Sequence, residues 1–141
     1  MSRLKINFPD KSIFQYKSIV GVGMINYGGH LGNDSILTIF QDARIAFLNS
    51  NGLSEINLGD GLGLIQNDAA IQYISEGHLH DEITTSIAFK ITSSISFDIY
   101  YKVESKNRIK PIAIGKTGMV IYNYSIKKMS QIPNSFRNLI E

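Results

Sequence analysis

A short segment rich in glycine and asparagine contains the residues of this sequence whose types and spacing are best suited to chemistry. The stretch NYGGHLGN places Asn26, His30 and Asn33 among three glycines, and an apolar pattern of helical spacing follows it directly. A glycine-rich turn that opens a helix leaves free backbone N–H groups at the positive end of the helix dipole. Such a helix end suits a developing oxyanion, so the segment predicts a site that stabilises negative charge on an oxygen atom.

A helix from Asn33 to Asn49 is predicted by the residues that follow the glycines. Its apolar residues recur at helical spacing and mark one face: Ile36, Phe40, Ala43 and Phe47. Asn33 or Asp34 could cap the start of this helix, and the stretch NSNG supplies its stop. We therefore expect one long, mostly buried helix whose first turn lies at the candidate site.

Strand-like segments lie on both sides of this helix in the sequence. The segment SIFQYKSIV predicts a first strand, and four further runs have strand-like patterns: residues 64–74, 82–92, 94–104 and 111–124. Their spacing suits an antiparallel meander, and a short terminal helix is predicted at residues 135–140. This order predicts an α+β fold, with one sheet and one helix in two layers, as a single domain over residues 1–141.

The composition excludes several classes of protein. The formal net charge is only +2 and the basic residues are mostly scattered, which argues against nucleic-acid binding. The lack of cysteine excludes disulfides and thiolate metal sites and fits a reducing compartment. No stretch approaches the roughly 20 apolar residues that cross a bilayer, and the N-terminus does not resemble a signal peptide. We therefore expect a soluble, cytoplasmic protein without a membrane partner.

Several motifs, in this order, resemble the hot-dog thioesterases of the 4-hydroxybenzoyl-CoA thioesterase family. That family has a loop of the form Asp-x-x-Gly-His-x-x-Asn before its central helix and an acid-Ala-Arg triplet on the helix. The matching residues here are Asn26, Gly29, His30 and Asn33 in the loop, and Asp42, Ala43 and Arg44 on the helix. The stretches AAIQY, IAIGKTGMVIY and QIP are also similar, and the resemblance covers nearly the whole chain.

The resemblance implies a hot-dog fold, in which an antiparallel sheet wraps around one long central helix. It also implies a homodimer or dimer of dimers, with sheets joined edge to edge and active sites at the dimer interface. The implied activity is hydrolysis of an acyl-CoA thioester, whose carbonyl is polarised by a backbone N–H at the helix start. We expect neither a cofactor nor a metal.

The loop departs from the family pattern at its first position, where Asn26 stands in place of the usual Asp. An amide can hold a water or a substrate, but it cannot accept a proton as a carboxylate does. The resemblance points instead to Asp42 as the general base, because a second group of hot-dog thioesterases carries its working carboxylate on the helix. Asp34 is the next candidate, although an Asp at a helix start is first of all a cap. Asp68, on the strand that follows, is the third.

The other candidate residues have two interpretations each. His30 could orient the substrate or a water, or it could shape the loop through a hydrogen bond to the backbone, which the resemblance favours. Gly29 and Asn33 would bind the substrate through their backbone. The stretch EGHLHDE brings His78 and His80 together, but a solvated turn is favoured over a metal site there.

A group of basic residues surrounds the predicted hairpin between the last two strands: Lys102, Lys106, Arg108, Lys110 and Lys116. They could contact the phosphates of coenzyme A or could simply form a solvated turn. The sequence also leaves a second function open, a hot-dog protein that binds acyl-CoA or an acyl carrier with little hydrolysis, for which Asn26 is the reason. A dehydratase is disfavoured because His30 lies in the wrong motif. The acyl group and the choice between CoA and a carrier protein stay open.

Overall fold

The computed structural model describes residues 3–141, in which strands of one antiparallel sheet pack against a long helix. The elements follow one another along the chain as β1 (Phe14–Ile19), α1 (Asn33–Ser50), β2 (Gly63–Tyr73), β3 (Glu82–Ile91), β4 (Ser96–Ser105), β5 (Ala113–Asn123), β6 (Lys128–Met129) and α2 (Asn134–Ile140). The α+β prediction is confirmed, and the five long strands and both helices lie where the sequence patterns predict them. The two-residue strand β6, which pairs with β5, was not predicted.

Helix α1 begins one residue after a glycine and not after a side-chain cap. Its N-cap is Gly32, whose backbone is extended, and no side chain caps the helix. The predicted capping role of Asn33 or Asp34 is therefore wrong, because both residues already lie in the first turn. At the other end, Gly52 adopts a left-handed conformation with a φ of 71° and ends the helix as predicted.

The order of strands in the sheet is β1-β3-β4-β5-β2, with all pairs antiparallel. Only β3, β4 and β5 form the predicted meander, because β2 pairs with β5 at the far edge and not with β3. The residues between β2 and β3, which we call the crossing segment (residues 74–81), therefore cannot be a tight turn. They begin beside Ile112, whose carbonyl accepts the Ile74 N–H, and end beside Val20, whose carbonyl accepts the His80 N–H.

The apolar face of α1 packs on the sheet through Phe40. Its ring stacks on Tyr101 of β4 with centroids 4.3 Å apart. Gly115 of β5 leaves room for this ring, since a methyl group at that position would overlap it. The side chains of β4 alternate between buried and half-buried, as expected for a strand with one face on the core. Within residues 3–141, neither helix combines the length and the hydrophobicity needed to cross a membrane.

Arg44, the arginine of the helical triplet, lies in the core and joins three parts of the fold. Its Nε–H donates to Glu55 in the loop after α1 at 2.6 Å, and its Nη1–H donates to the Tyr101 hydroxyl at 3.0 Å. The Tyr101 hydroxyl also bonds Thr117 of β5 at 2.8 Å. Burial raises the pKa of Tyr101, although Arg44 nearby acts in the opposite direction. The triplet's arginine is therefore a structural residue, which anchors a loop to the helix and the sheet.

Candidate active site

The glycine loop (residues 26–32) is held in shape by Asn26. The Asn26 N–H donates to the carbonyl of His30 at 2.8 Å, and the Asn26 side-chain oxygen accepts the N–H of His30 at 3.2 Å. Gly29 donates its N–H to the Asn26 carbonyl at 3.0 Å, with a φ of 83° that favours glycine. The residue that replaces the family's acid thus closes the loop, with both its backbone and its side chain.

The first turn of α1 presents free N–H groups. Gly32 and Ser35 donate their N–H groups to the carbonyls of Met24 and Gly32, but among the described residues the N–H groups of Asn33 and Asp34 make no hydrogen bond. Gly32 packs closely here, since a methyl group on it would overlap the Asp34 Oδ1 atom. These two N–H groups can therefore stabilise negative charge on a ligand oxygen.

A cavity of about 310 Å³ lies between the glycine loop, the start of α1, the end of β2 and the crossing segment. Its lining combines apolar side chains with a few polar ones, as is usual for a small-molecule site: Asn26, His30, Leu31, Asn33, Ile36, Tyr73, Ile74, Ser75, Glu76 and Ile112. Tyr73 donates its hydroxyl to the Asn33 carbonyl at 3.3 Å. The strand β2 is thereby joined to the helix start across the cavity.

The structure brings only some of the predicted site residues together. Asn26, His30 and Asn33 line the cavity, and Gly29 lies in the loop beside them. Asp34 is exposed in the first turn and does not line the cavity. Sequence patterns missed Tyr73, which ends the strand β2, and Glu76, which lies in the crossing segment with its turn-like composition.

The two other candidate bases lie elsewhere in the chain. Asp42 is exposed on α1, nine residues after Asn33, which corresponds to about 13 Å along the helix axis. Asp68 accepts the Gly118 N–H of β5 at 2.9 Å, next to a break in the register of β2. It lines a separate depression with Asp98. Neither carboxylate lines the cavity at the helix start within this chain.

His30 faces the crossing segment. The Nδ1 atom of its half-exposed ring is shielded from solvent and has no hydrogen-bond partner, while Glu76 Oε2 lies 3.4 Å away at an ion-pair distance. The ring meets His78 edge to face, with centroids 5.3 Å apart. Over the described residues the His30 ring makes no hydrogen bond to the loop backbone, so the shaping role expected of it falls to Asn26.

The structure does not group the two histidines of the crossing segment, His78 and His80, with each other. His78 groups instead with His30 and Glu76, whose potential ligand atoms lie within 4.8 Å of one another. His80 is exposed at a left-handed φ of 65°. A metal cation would be repelled here by a like charge, because the positive Arg108 guanidinium contacts His78 Nδ1. The expectation of no metal stays a prediction.

Most of the basic group around the hairpin already faces carboxylates. Lys102, Lys106 and Lys116 pair with Glu104, Glu82 and Asp98, and Arg108 lies 3.7 Å from Asp81. Lys110 is exposed, and none of the described carboxylates lies within ion-pair distance of it. A phosphate-binding role for the group as a whole therefore loses support, and Lys110 remains its best member.

The overall fold has many counterparts among solved structures. A 1,4-dihydroxy-2-naphthoyl-CoA thioesterase from Synechocystis is 21% identical, with 90% of this chain and 94% of that chain covered at a TM-score of 0.80. A gentisyl-coenzyme A thioesterase is 20% identical, with coverage of 91% and 100% at a TM-score of 0.77. A Staphylococcus aureus protein solved in complex with CoA is 21% identical, with coverage of 96% and 85% at a TM-score of 0.80.

These likenesses establish the hot-dog fold that the resemblance implied. No curated protein sequence matches the chain. The model of the thioesterase-like superfamily matches residues 20–140, which includes the glycine loop, α1 and every later strand. The chain therefore belongs to the thioesterase-like superfamily.

Proposed function

We propose that this protein hydrolyses an acyl-CoA thioester to a free acid and CoA. The single observation that carries the proposal is the pair of free N–H groups at the start of α1, beside a cavity that Asn33 lines. Membership of the thioesterase-like superfamily supports the same reaction class. Three solved structures with the same fold are described as CoA thioesterases or as CoA-bound, which favours CoA as the thiol.

In the proposed reaction the thioester carbonyl oxygen lies at the first turn of α1. The N–H groups of Asn33 and Asp34 donate to this oxygen as it becomes negative during attack by water. Donors that are fixed before the reaction stabilise the transition state, and one such donor typically contributes about 10²–10³ in rate. Asn26 and Gly29 keep the loop in place, and Tyr73 fixes the cavity wall against the helix start.

The proposed assembly is a homodimer or a dimer of dimers. Strands β1 and β2 end the order of strands and leave sheet edges that a second copy could extend. Asp42, which the sequence assigns as the base, would act at this cavity only if it came from a second copy. That assignment and a cytoplasmic location stay predictions.

A second candidate function is binding of acyl-CoA or an acyl carrier without efficient hydrolysis. The observation that favours it is the double role of Asn26 in closing the loop, since a residue used in this way does not supply a base. Both functions require binding of the acyl thioester, and they differ in how fast the bound thioester is hydrolysed.

A panel of aliphatic and aromatic acyl-CoAs distinguishes these functions. Purified protein is incubated with each thioester, and free thiol is followed with a chromogenic reagent. We expect thiol release above background for at least one acyl group. Tight binding of an acyl-CoA without any thiol release would reject the hydrolase and support the binding protein.

A further inference from the structure

We infer that His30 is the general base of the proposed hydrolysis and that Glu76 positions its ring. The inference rests on the proposed function and supplies the proton acceptor that Asn26 cannot be. It assigns a role to Glu76, a residue to which the sequence patterns give none.

Glu76 is the only carboxylate among the residues that line the cavity at the helix start. The carboxylates of Asp34, Asp42 and Asp68 do not line it. A positioning residue must lie within reach of the group that it orients, and Glu76 Oε2 is 3.4 Å from His30 Nδ1. Its place at the cavity therefore identifies Glu76 as the carboxylate that positions the His30 ring.

The His30 ring has a reason to pair with this carboxylate. Its Nδ1 atom is shielded from solvent and has no hydrogen-bond partner, which costs free energy on the order of 1–3 kcal/mol in a folded protein. Glu76 is exposed and free to rotate, so a small rotation of its side chain closes the 3.4 Å contact into a hydrogen bond. In that arrangement Nδ1 carries the proton, and Nε2 keeps the lone pair that a base needs.

The two backbones that carry this pair are locked together. Leu31, next to His30, donates its N–H to the carbonyl of Gly77, next to Glu76, at 2.8 Å. Gly77 permits this approach, since a methyl group on it would lie 2.9 Å from a Leu31 methyl carbon. The crossing segment is also tied to Ile112 through the N–H groups of Ile74 and Ser75. Only the side chain of Glu76 has to move for the pair to form.

The charges around the pair do not compete with it. His78 meets the His30 ring edge to face, and the Arg108 guanidinium contacts the Nδ1 of His78. Arg108 in turn lies 3.7 Å from Asp81, which offsets its charge. Among the described residues, Glu76 is the one carboxylate at ion-pair distance from His30.

The proposed hydrolysis needs no reactant besides the thioester and one water. Nε2 of His30 takes a proton from a water as the water oxygen bonds to the thioester carbonyl carbon, and the carbonyl electron pair moves to the oxygen at the start of α1. Collapse of this intermediate breaks the carbon–sulfur bond. The leaving thiolate takes the proton from the imidazolium, which yields a carboxylic acid and a thiol and regenerates neutral His30.

Three variants test the assignment through turnover of the best acyl-CoA. His30→Ala should lower kcat by about 10²–10⁴, and added imidazole should restore part of the loss. Glu76→Gln should lower kcat by about 10² because the ring loses its orientation, whereas Glu76→Asp should retain more activity. Glu104→Gln, which removes a carboxylate that does not line the cavity, serves as the matched control and should keep normal turnover.

A measurement that needs no turnover separates this inference from the proposed function. The chain has three histidines, so the imidazole nitrogen signals in NMR can be assigned by single substitutions. We expect neutral His30 to carry its proton on Nδ1 in the wild type and to lose this preference in Glu76→Gln. A proton on Nε2 in both proteins would overturn the inference even if the enzyme hydrolyses acyl-CoA. A proton on Nδ1 without hydrolysis of any acyl-CoA would reject the proposed function and, with it, the base role.

Two further outcomes would overturn the assignment. If Glu76→Gln lost more activity than His30→Ala, Glu76 would itself be the base. If a chelator abolished turnover and Zn²⁺ restored it, the His30, Glu76 and His78 group would be a metal site. We expect turnover to be unchanged by the chelator.

Discussion

The side-chain oxygen of Asn26 accepts the backbone N–H of His30 at 3.2 Å, and the backbone N–H of Asn26 donates to the carbonyl of His30 at 2.8 Å. The residue at the usual position of the acid is thus tied to the histidine four residues later. This pair of bonds fixes the loop that leads into α1. An asparagine serves the geometry of the loop as well as an aspartate would, but without a carboxylate.

Substitutions of Asn26 separate these two roles. Asn26→Asp should keep or raise turnover, because a carboxylate oxygen can still accept the His30 N–H and also restores the family's usual acid. Asn26→Ala should lower turnover about tenfold, since it removes one hydrogen bond from the loop, and such a bond contributes up to about 1.5 kcal/mol. Steady-state kinetics on folded protein measures both effects. A collapse of activity in Asn26→Asp would mean that the amide itself binds the substrate.

The substitution Asp42→Asn compares two candidate bases. Asp42 is exposed and about 13 Å along the helix from Asn33, so we expect Asp42→Asn to retain most of the turnover if His30 is the base. The sequence-based assignment gives the opposite result, a loss of about 10²–10⁴. The kinetics should be measured together with sedimentation, because a helix of a second copy could bring Asp42 to the cavity. A large loss in an intact oligomer would assign the base to Asp42.

Gly77→Ala should separate the crossing segment from the glycine loop. The new methyl group would lie 2.9–3.3 Å from atoms of Leu31 and Ile112, and crowding of this kind typically costs 1–3 kcal/mol of stability. We expect lower turnover and a lower free energy of unfolding in denaturant titration. Gly21→Ala is a suitable control, because nothing lies within 4 Å of a methyl group there. Equal behaviour of the two variants would contradict the close approach at Gly77.

Tyr101→Phe should destabilise the fold without touching the cavity. It removes a buried hydroxyl that bonds both Arg44 and Thr117, and a loss of about 1–3 kcal/mol follows from the partners left without a bond. Burial raises the pKa of Tyr101, so the unfolded chain releases this proton at a lower pH than the folded one. The wild type should therefore lose stability as the pH rises above about 10, the ordinary value for tyrosine. In Tyr101→Phe this alkaline loss should be smaller, as followed by thermal unfolding across pH.

The helix and the long strands could be predicted because their patterns are local. Phe40 and Phe47 recur at helical spacing, and β4 alternates residue by residue, so one face of each element is visible in the sequence. The order of the strands within the sheet could not be predicted from the sequence. Whether β2 pairs with β3 or with β5 depends on contacts between residues far apart in the chain, and the crossing segment has the polar, glycine-containing composition of an ordinary turn.

The candidate site was predicted in part for the same reason. Asn26, His30 and Asn33 lie within one short motif, and the structure keeps them together at one cavity. Tyr73 and Glu76 come from a distant part of the sequence. Tyr73 reaches the cavity from the end of β2, and Glu76 reaches it because the crossing segment passes beside the glycine loop. The capping prediction at Asn33 and Asp34 was wrong because Gly32, with its extended backbone, is the N-cap and Asn33 is already the first helical residue.

Asn33→Pro tests the helix start as the site of the carbonyl oxygen most directly. Asn33 is the first helical residue, where proline is tolerated, and the extended backbone of Gly32, with a ψ of 144°, suits a following proline. The substitution removes one free N–H and breaks no hydrogen bond of the described chain. Asn33→Ala, which keeps the N–H and removes only the side chain, is the matched control. We expect kcat for the best acyl-CoA to fall about 10²–10³ in Asn33→Pro with little change in Asn33→Ala; equal turnover in the two folded variants would contradict the role of this N–H.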